Sequence, residues 1–93
     1  KVAVLPLIKK RHSEIARKIY NSLRKHFMCD YDDSGTIGKR YRREDAMGTP
    51  WCITIDDETL NNNLVTIRDR DNMEQITLNV DDVKNYIRER IEF

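Results

Sequence analysis

The opening run Val2-Ala3-Val4-Leu5-Pro6-Leu7-Ile8 constrains this chain more than any other stretch, because it is apolar at every position. A strand that alternates can leave one side in water, whereas a continuously apolar one must be covered on both sides. The run therefore predicts an inner strand of a sheet with helices packed on both faces. Pro6 has no N–H to give a ladder, so the strand is expected to end or bend there.

From Ser13 the period changes. Ile15, Ile19, Leu23 and Phe27, with Ala16, fall at helical spacing, while Arg17, Lys18, Arg24 and Lys25 lie on the opposite face. Met28-Cys29-Asp30-Tyr31-Asp32 reads as a second short strand, closing a β-α-β unit whose crossover is right-handed and whose strands are parallel. Ser34-Gly35-Thr36 offers turn chemistry and an N-cap for a helix over Ile37 to Met47. Gly48 and Pro50 end that helix. Trp51-Cys52-Ile53-Thr54-Ile55 is the third strand.

Asp56-Asp57-Glu58 and Asn61-Asn62-Asn63 read as a polar connection. Leu64 to Arg68 and Gln75 to Val80 both alternate, so each buries one face. The tract Asp69 to Met73 between them suits a hairpin, with Asn72 as the residue able to take positive φ. Asn79 or Asp81 caps a last helix with Val83, Tyr86, Ile87, Arg90 and Ile91 on or beside its inner stripe, and Asp81 and Asp82 favour its positive end. The order β-α-β-α-β-β-β-α predicts an α/β fold: a five-stranded mixed β-sheet flanked by about three α-helices. All 93 residues are expected to form one domain without repeats or linker.

Apolar residues make up 39% of the chain and charged ones 35%, the balance of a soluble module. No apolar run approaches the roughly 20 residues of a membrane helix, and no charged-then-apolar leader is present, so neither a membrane nor secretion is expected. The net charge of +1 conceals local segregation: Asp30, Asp32 and Asp33 precede a basic run, and Arg68 and Arg70 alternate with Asp69 and Asp71. Near-neutrality argues against gripping nucleic acid by bulk electrostatics, because counterion release scales with the phosphates neutralised. Cys29 and Cys52 form no CxxC pair and lie at no metal-ligand spacing from His12 and His26. They read as buried thiols of a reducing compartment, and the histidines as cap and surface residues.

The segment Ser34 to Pro50 sets four cations, Lys39, Arg40, Arg42 and Arg43, around Tyr41. Burial alone does not call for this arrangement; a surface meeting phosphates and stacked bases would use it. Helical geometry divides the set, since Arg40 and Arg43 share a face, as do Lys39 and Arg42 or Arg43. One or two are therefore expected to pair with Asp30, Asp32, Asp33, Glu44 or Asp45. Tyr41, four residues after Ile37, fits the core as well as a stacking platform. Gly38 in the first turn costs roughly 1 kcal/mol against alanine, to be offset by close packing or by an approaching RNA backbone.

Ile37-Gly38-Lys39-Arg40-Tyr41, followed by Gly48-Thr49-Pro50 and then Arg68-Asp69-Arg70-Asp71, resembles the C-terminal anticodon-binding domain of glycyl-tRNA synthetases. Lys1 to Leu7 is similar to that domain's first strand, and the resemblance spans nearly the whole chain. It implies a class IIa anticodon-binding fold, shared with the prolyl, threonyl and histidyl enzymes. It also implies that this chain is a non-catalytic fragment of a cytoplasmic ligase. The parent would attach glycine using ATP and Mg²⁺ in a separate catalytic domain, through which it would also form a homodimer. The class II catalytic motifs are absent from these residues.

The implied partner is the anticodon loop of glycine tRNA. Its cytosines at the second and third letters offer an amine donor beside carbonyl and ring-nitrogen acceptors. Arg68 and Arg70 can donate in a planar fork, and Asp69, Asp71 or Glu58 can accept from an amine. Tyr41 and Tyr31 are candidate stacking surfaces, and Lys39, Arg40, Arg42 and Arg43 candidate phosphate contacts. On spacing alone, Arg68 to Asp71 reads sooner as a self-compensating surface turn, and only the resemblance reverses that order. A second reading of the fold is a protein-interaction module, like the synthetase-derived accessory subunits of mitochondrial DNA polymerase.

Overall fold

The computed structural model describes residues 1–91, and its centre is the strand that the opening run predicts. Val2–Pro6 (β1) is buried at every position. It is flanked by two parallel neighbours, Cys29–Tyr31 (β2) on one side and Trp51–Ile55 (β3) on the other. Leu64–Asp69 (β4) pairs antiparallel with β3, and Gln75–Asn79 (β5) antiparallel with β4. The sheet order is β2-β1-β3-β4-β5, the mixed five-stranded sheet expected.

Alternate residues of β1 serve two cores. Val2 and Val4 join Trp51, Ile53, Ile55, Val65 and Ile67 beneath Lys9–Leu23 (α1) and the last helix, through Ala16, Ile19, Leu23, Val83 and Ile87. Ala3, Leu5 and Cys52 face the other way and meet Ile37 and Tyr41 of Ile37–Met47 (α2). Truncating the fully buried Leu5 to alanine would cost about 2–5 kcal/mol.

Four departures from the sequence expectation have physical causes. First, α1 begins at Lys9, not Ser13, although its N-cap Ile8 has no side-chain acceptor to offer. His12 closes that end instead: its Nδ1 accepts the Ile8 N–H at 3.0 Å, and Nε2 in turn donates to Asp57 at 2.8 Å. His12 is thus a cap, as expected, but it is buried rather than on the surface. His26 is exposed.

Second, the polar connection after β3 is a short helix, Asp57–Asn62 (α3). Asp56 and Thr59 form a capping box, and Asn63 ends the helix in the left-handed conformation at φ 60°. With Val83–Ile91 (α4) the described residues hold four α-helices rather than about three. Third, positive φ in the β4–β5 turn falls on Met73 and not on Asn72. The Asn72 side chain instead accepts the Glu74 N–H at 2.9 Å, an Asx turn that passes the left-handed position one residue on.

Fourth, of the two cysteines only Cys52 is buried; Cys29 is half-buried on an edge strand, and both are free thiols. Burial pushes the Cys52 thiol up to about 12. A 3-10 turn, Val80–Asp82, capped by the Asn79 side chain, leads into α4. Among the described residues no helix is long and apolar enough to cross a membrane.

Candidate nucleic-acid interface

Helix α2 is built as the sequence reads. Thr36 accepts the Lys39 N–H at 3.3 Å, and Gly48 at φ 78° turns the chain back. Positions 37, 41 and 45 lie one turn apart on the face toward the sheet. Ile37 and Tyr41 reach the small core over β1 and β3, and Asp45 extends that row past it. Arg40 and Glu44 are buried beside them at 3% and 1% exposure.

The helix covers only part of its sheet face. Across β4 and β5, Thr66 pairs with Thr77 and Arg68 with Gln75, and Cys52 stands opposite Arg68 on the same face. This half of the face carries polar side chains, with Gln75 and Thr77 exposed. A polar shelf thus runs alongside α2, and Arg68 stands at the boundary.

Arg68 is held on three sides. Nη1 and Nη2 donate to the two oxygens of Asp45 at 3.1 and 3.2 Å. Nη2 also touches the Met73 sulfur at 3.3 Å, and the guanidinium carbon lies 4.9 Å from the centre of the Tyr41 ring. The hydrogen bonds that Arg68 donates to Asp45 raise its guanidinium pKa further. Tyr41 shares a hydrogen bond with the Thr54 hydroxyl, and burial pushes its phenol upward. Of the two roles the sequence left open, the core role is met: Tyr41 packs on the Ala3, Leu5 and Cys52 cluster, and its ring lies under Arg68.

The remaining predicted residues divide. Arg70 is on the turn, donating from Nε to the Asp45 carbonyl at 3.2 Å, while its backbone N–H reaches Pro50. Asp69 accepts the Asp71 N–H at 2.8 Å, and Asp71 points into solvent at 84% exposure. The turn is thus only partly self-compensating, since Arg70 and Asp71 approach no closer than 4.0 Å. Lys39 and Arg42 are exposed on the outer face of α2, and among the described residues neither is in an ion pair. Arg43 forks onto Asp32 at 2.9 and 3.0 Å and reaches the Ser34 carbonyl at 2.7 Å, the internal pairing expected of one cation.

Three candidates are placed elsewhere. Arg40 is not available to a phosphate: its buried guanidinium donates to the carbonyls of Pro6 and Gly35. Glu58 sits on α3, past the end of β3 at Ile55, whereas Arg68 pairs with Cys52 near that strand's start. It accepts from Asn62 at 2.8 Å. Tyr31 lies under Arg17, whose guanidinium is 4.4 Å from the ring centre, on the side of the larger core.

The residue that spacing did not single out as a base contact is Asp45. Its signal was its place four residues after Tyr41, which puts the carboxylate on the sheet side of α2. Among the described residues no group of three or more His, Cys, Asp or Glu side chains could hold a metal ion.

A sheet of this order thus carries a helix with exposed Lys39 and Arg42 beside a polar shelf. A family model described as "Anticodon binding domain" matches residues 1–90, and the chain belongs to that family. The RNA binding domain of threonyl-tRNA synthetase from Cryptosporidium parvum Iowa II superposes on 96% of the chain with a TM-score of 0.86 and 25% identity, using 23% of that protein. Glycine–tRNA ligases from Clostridium kluyveri, Clostridium tetani and Geobacillus kaustophilus are 60%, 57% and 54% identical over 93 residues. The chain spans about a fifth of the length of these curated relatives, 20% in each case.

Proposed function

We propose that the chain is the anticodon-reading part of a glycine–tRNA ligase, binding the unpaired loop of glycine tRNA while another part of the protein performs the chemistry. The observation that carries this is identity of 54–60% to three glycine–tRNA ligases along every residue of the chain. The shelf is consistent with it: Arg68 supplies fixed donors, Tyr41 a supported ring, and Lys39 and Arg42 free cations for phosphate. In this reading the 93 residues are one domain of a longer, homodimeric cytoplasmic protein, and ATP and Mg²⁺ are used outside it. Arg40, Tyr31 and Glu58 are left out of the binding set.

In the full-length protein Arg68→Ala should reduce tRNA charging by about 10–100-fold, the worth of one bidentate base contact. Glycyl-adenylate formation should stay near the wild-type rate. Equal losses in the two assays would defeat the proposal. The rival reading, a polymerase-associated interaction module, requires capture of a polymerase with no protection of an anticodon loop.

A further inference from the structure

Resting on the anticodon reading above, we propose that Asp45 is a specificity-determining residue: its carboxylate accepts from the exocyclic amine of an unpaired cytosine while Arg68 donates to that base's ring nitrogen or carbonyl. The carboxylates the turn itself offers are poorly placed for this. Asp69 follows Arg68 on β4, so its side chain faces the other side of the sheet, and Asp71 points away into solvent. The carboxylate lying against Arg68 belongs to α2, 23 residues away in sequence.

A two-point guanidinium–carboxylate pair is close to planar. Its edge sets an acceptor beside N–H donors in one plane, the complement of the cytosine Watson–Crick edge. A carboxylate has about four lone-pair positions, and Arg68 occupies two. The Asp45 side chain is 35% exposed, so a further donor can approach. Arg68 is backed by Tyr41 and cannot swing to suit another base without leaving its stack. Uracil inverts the pattern: its O4 would face the Asp45 oxygens and its N3–H the Arg68 N–H groups. Discrimination thus comes from repulsion of the wrong base as well as attraction of the right one.

The test is binding of the full-length protein to anticodon stem–loops bearing two cytosines or a uracil at either position. Wild type should favour the cytosine loop by about 10–100-fold over at least one uracil loop. Asp45→Asn, which presents an amide donor to the same point, should bring that ratio to within about threefold in a protein that still melts cooperatively. Asp45→Glu keeps an acceptor and should retain a cytosine preference even where affinity falls. If Asp45→Asn weakens cytosine and uracil loops equally, the proposal is overturned and Asp45 only holds Arg68 in place. Wild-type binding that ignores the loop sequence altogether would overturn the anticodon reading with it.

Discussion

Arg40 and Pro6 are joined where β1 ends: the buried guanidinium donates to the Pro6 carbonyl, and its second amino group to the Gly35 carbonyl at 3.0 Å. The proline that stops the central strand leaves a carbonyl facing α2, and the first full turn of that helix supplies the donor. The cation that sequence would assign to RNA is thereby the tie between the inner strand and the interface helix.

Arg40→Met should accordingly lower stability by about 1–3 kcal/mol, the cost of leaving buried acceptors unpaired. Arg40→Lys should recover little, since an ammonium cannot span both carbonyls in one plane. Urea unfolding checks this, and a shift of under about 0.5 kcal/mol, the scale of an ordinary surface change, would contradict it.

Glu44 predicts a stability that declines with pH. Burial raises its carboxyl above the usual 4.5, opposed by the Thr49 hydroxyl and Lys1 and reinforced by Asp30 and Asp32. The folded state then holds the proton more tightly than the unfolded one. The resulting advantage is complete below about pH 4.5 and is lost as pH rises through the folded value. Glu44→Gln, which keeps an acceptor for Thr49, should remove this decline in melts collected across that interval.

Asp57 acts with the opposite sign at lower pH. The hydrogen bond from His12, aided by Arg11, holds its carboxyl below the usual 3.8 despite some desolvation. Its contribution is present above about pH 3.8 and disappears as pH falls through the folded value. Wild type should therefore outlast Asp57→Asn in thermal melts at neutral pH, with the two curves converging in acid.

Gly38→Ala should stabilise the chain. A Cβ there meets nothing within 4 Å and the backbone is helical, so close packing does not explain the glycine. A gain of about 0.5–1 kcal/mol in a denaturation midpoint is expected from the helix preference alone.

Among the cations of α2, Arg42 and Arg43 should differ. Arg42→Ala should weaken RNA binding without changing sequence preference and reduce the salt slope by about one. Arg43→Ala frees Asp32 and should act on the Ser34 turn more than on that slope. Titrations at several salt concentrations separate them.

The sequence disclosed the scaffold well because its signals were local: the apolar run of β1, the turn chemistry around Thr36 and Gly48, and the alternation of β4 and β5 each specify an element by themselves. It missed α3 because six residues carry too little periodicity, although Asp56 and Thr59 stand at capping distance. The site was less legible. Which of Lys39, Arg40, Arg42 and Arg43 faces water depends on where Pro6, Gly35 and Asp32 lie in space, and no spacing encodes that. Asp45 and Arg68 meet only because α2 returns along the sheet, a long-range fact invisible to a window of neighbours.

Arg68 grasps the carboxylate of Asp45 and Arg70 its carbonyl, so the loop between the last two strands is stapled to the helix before any partner arrives. Freezing a loose loop costs about 1–2 kcal/mol per residue. A tip already frozen by its own chain spares that expense at the moment of encounter. Association here should proceed as a rigid docking whose speed follows charge and diffusion.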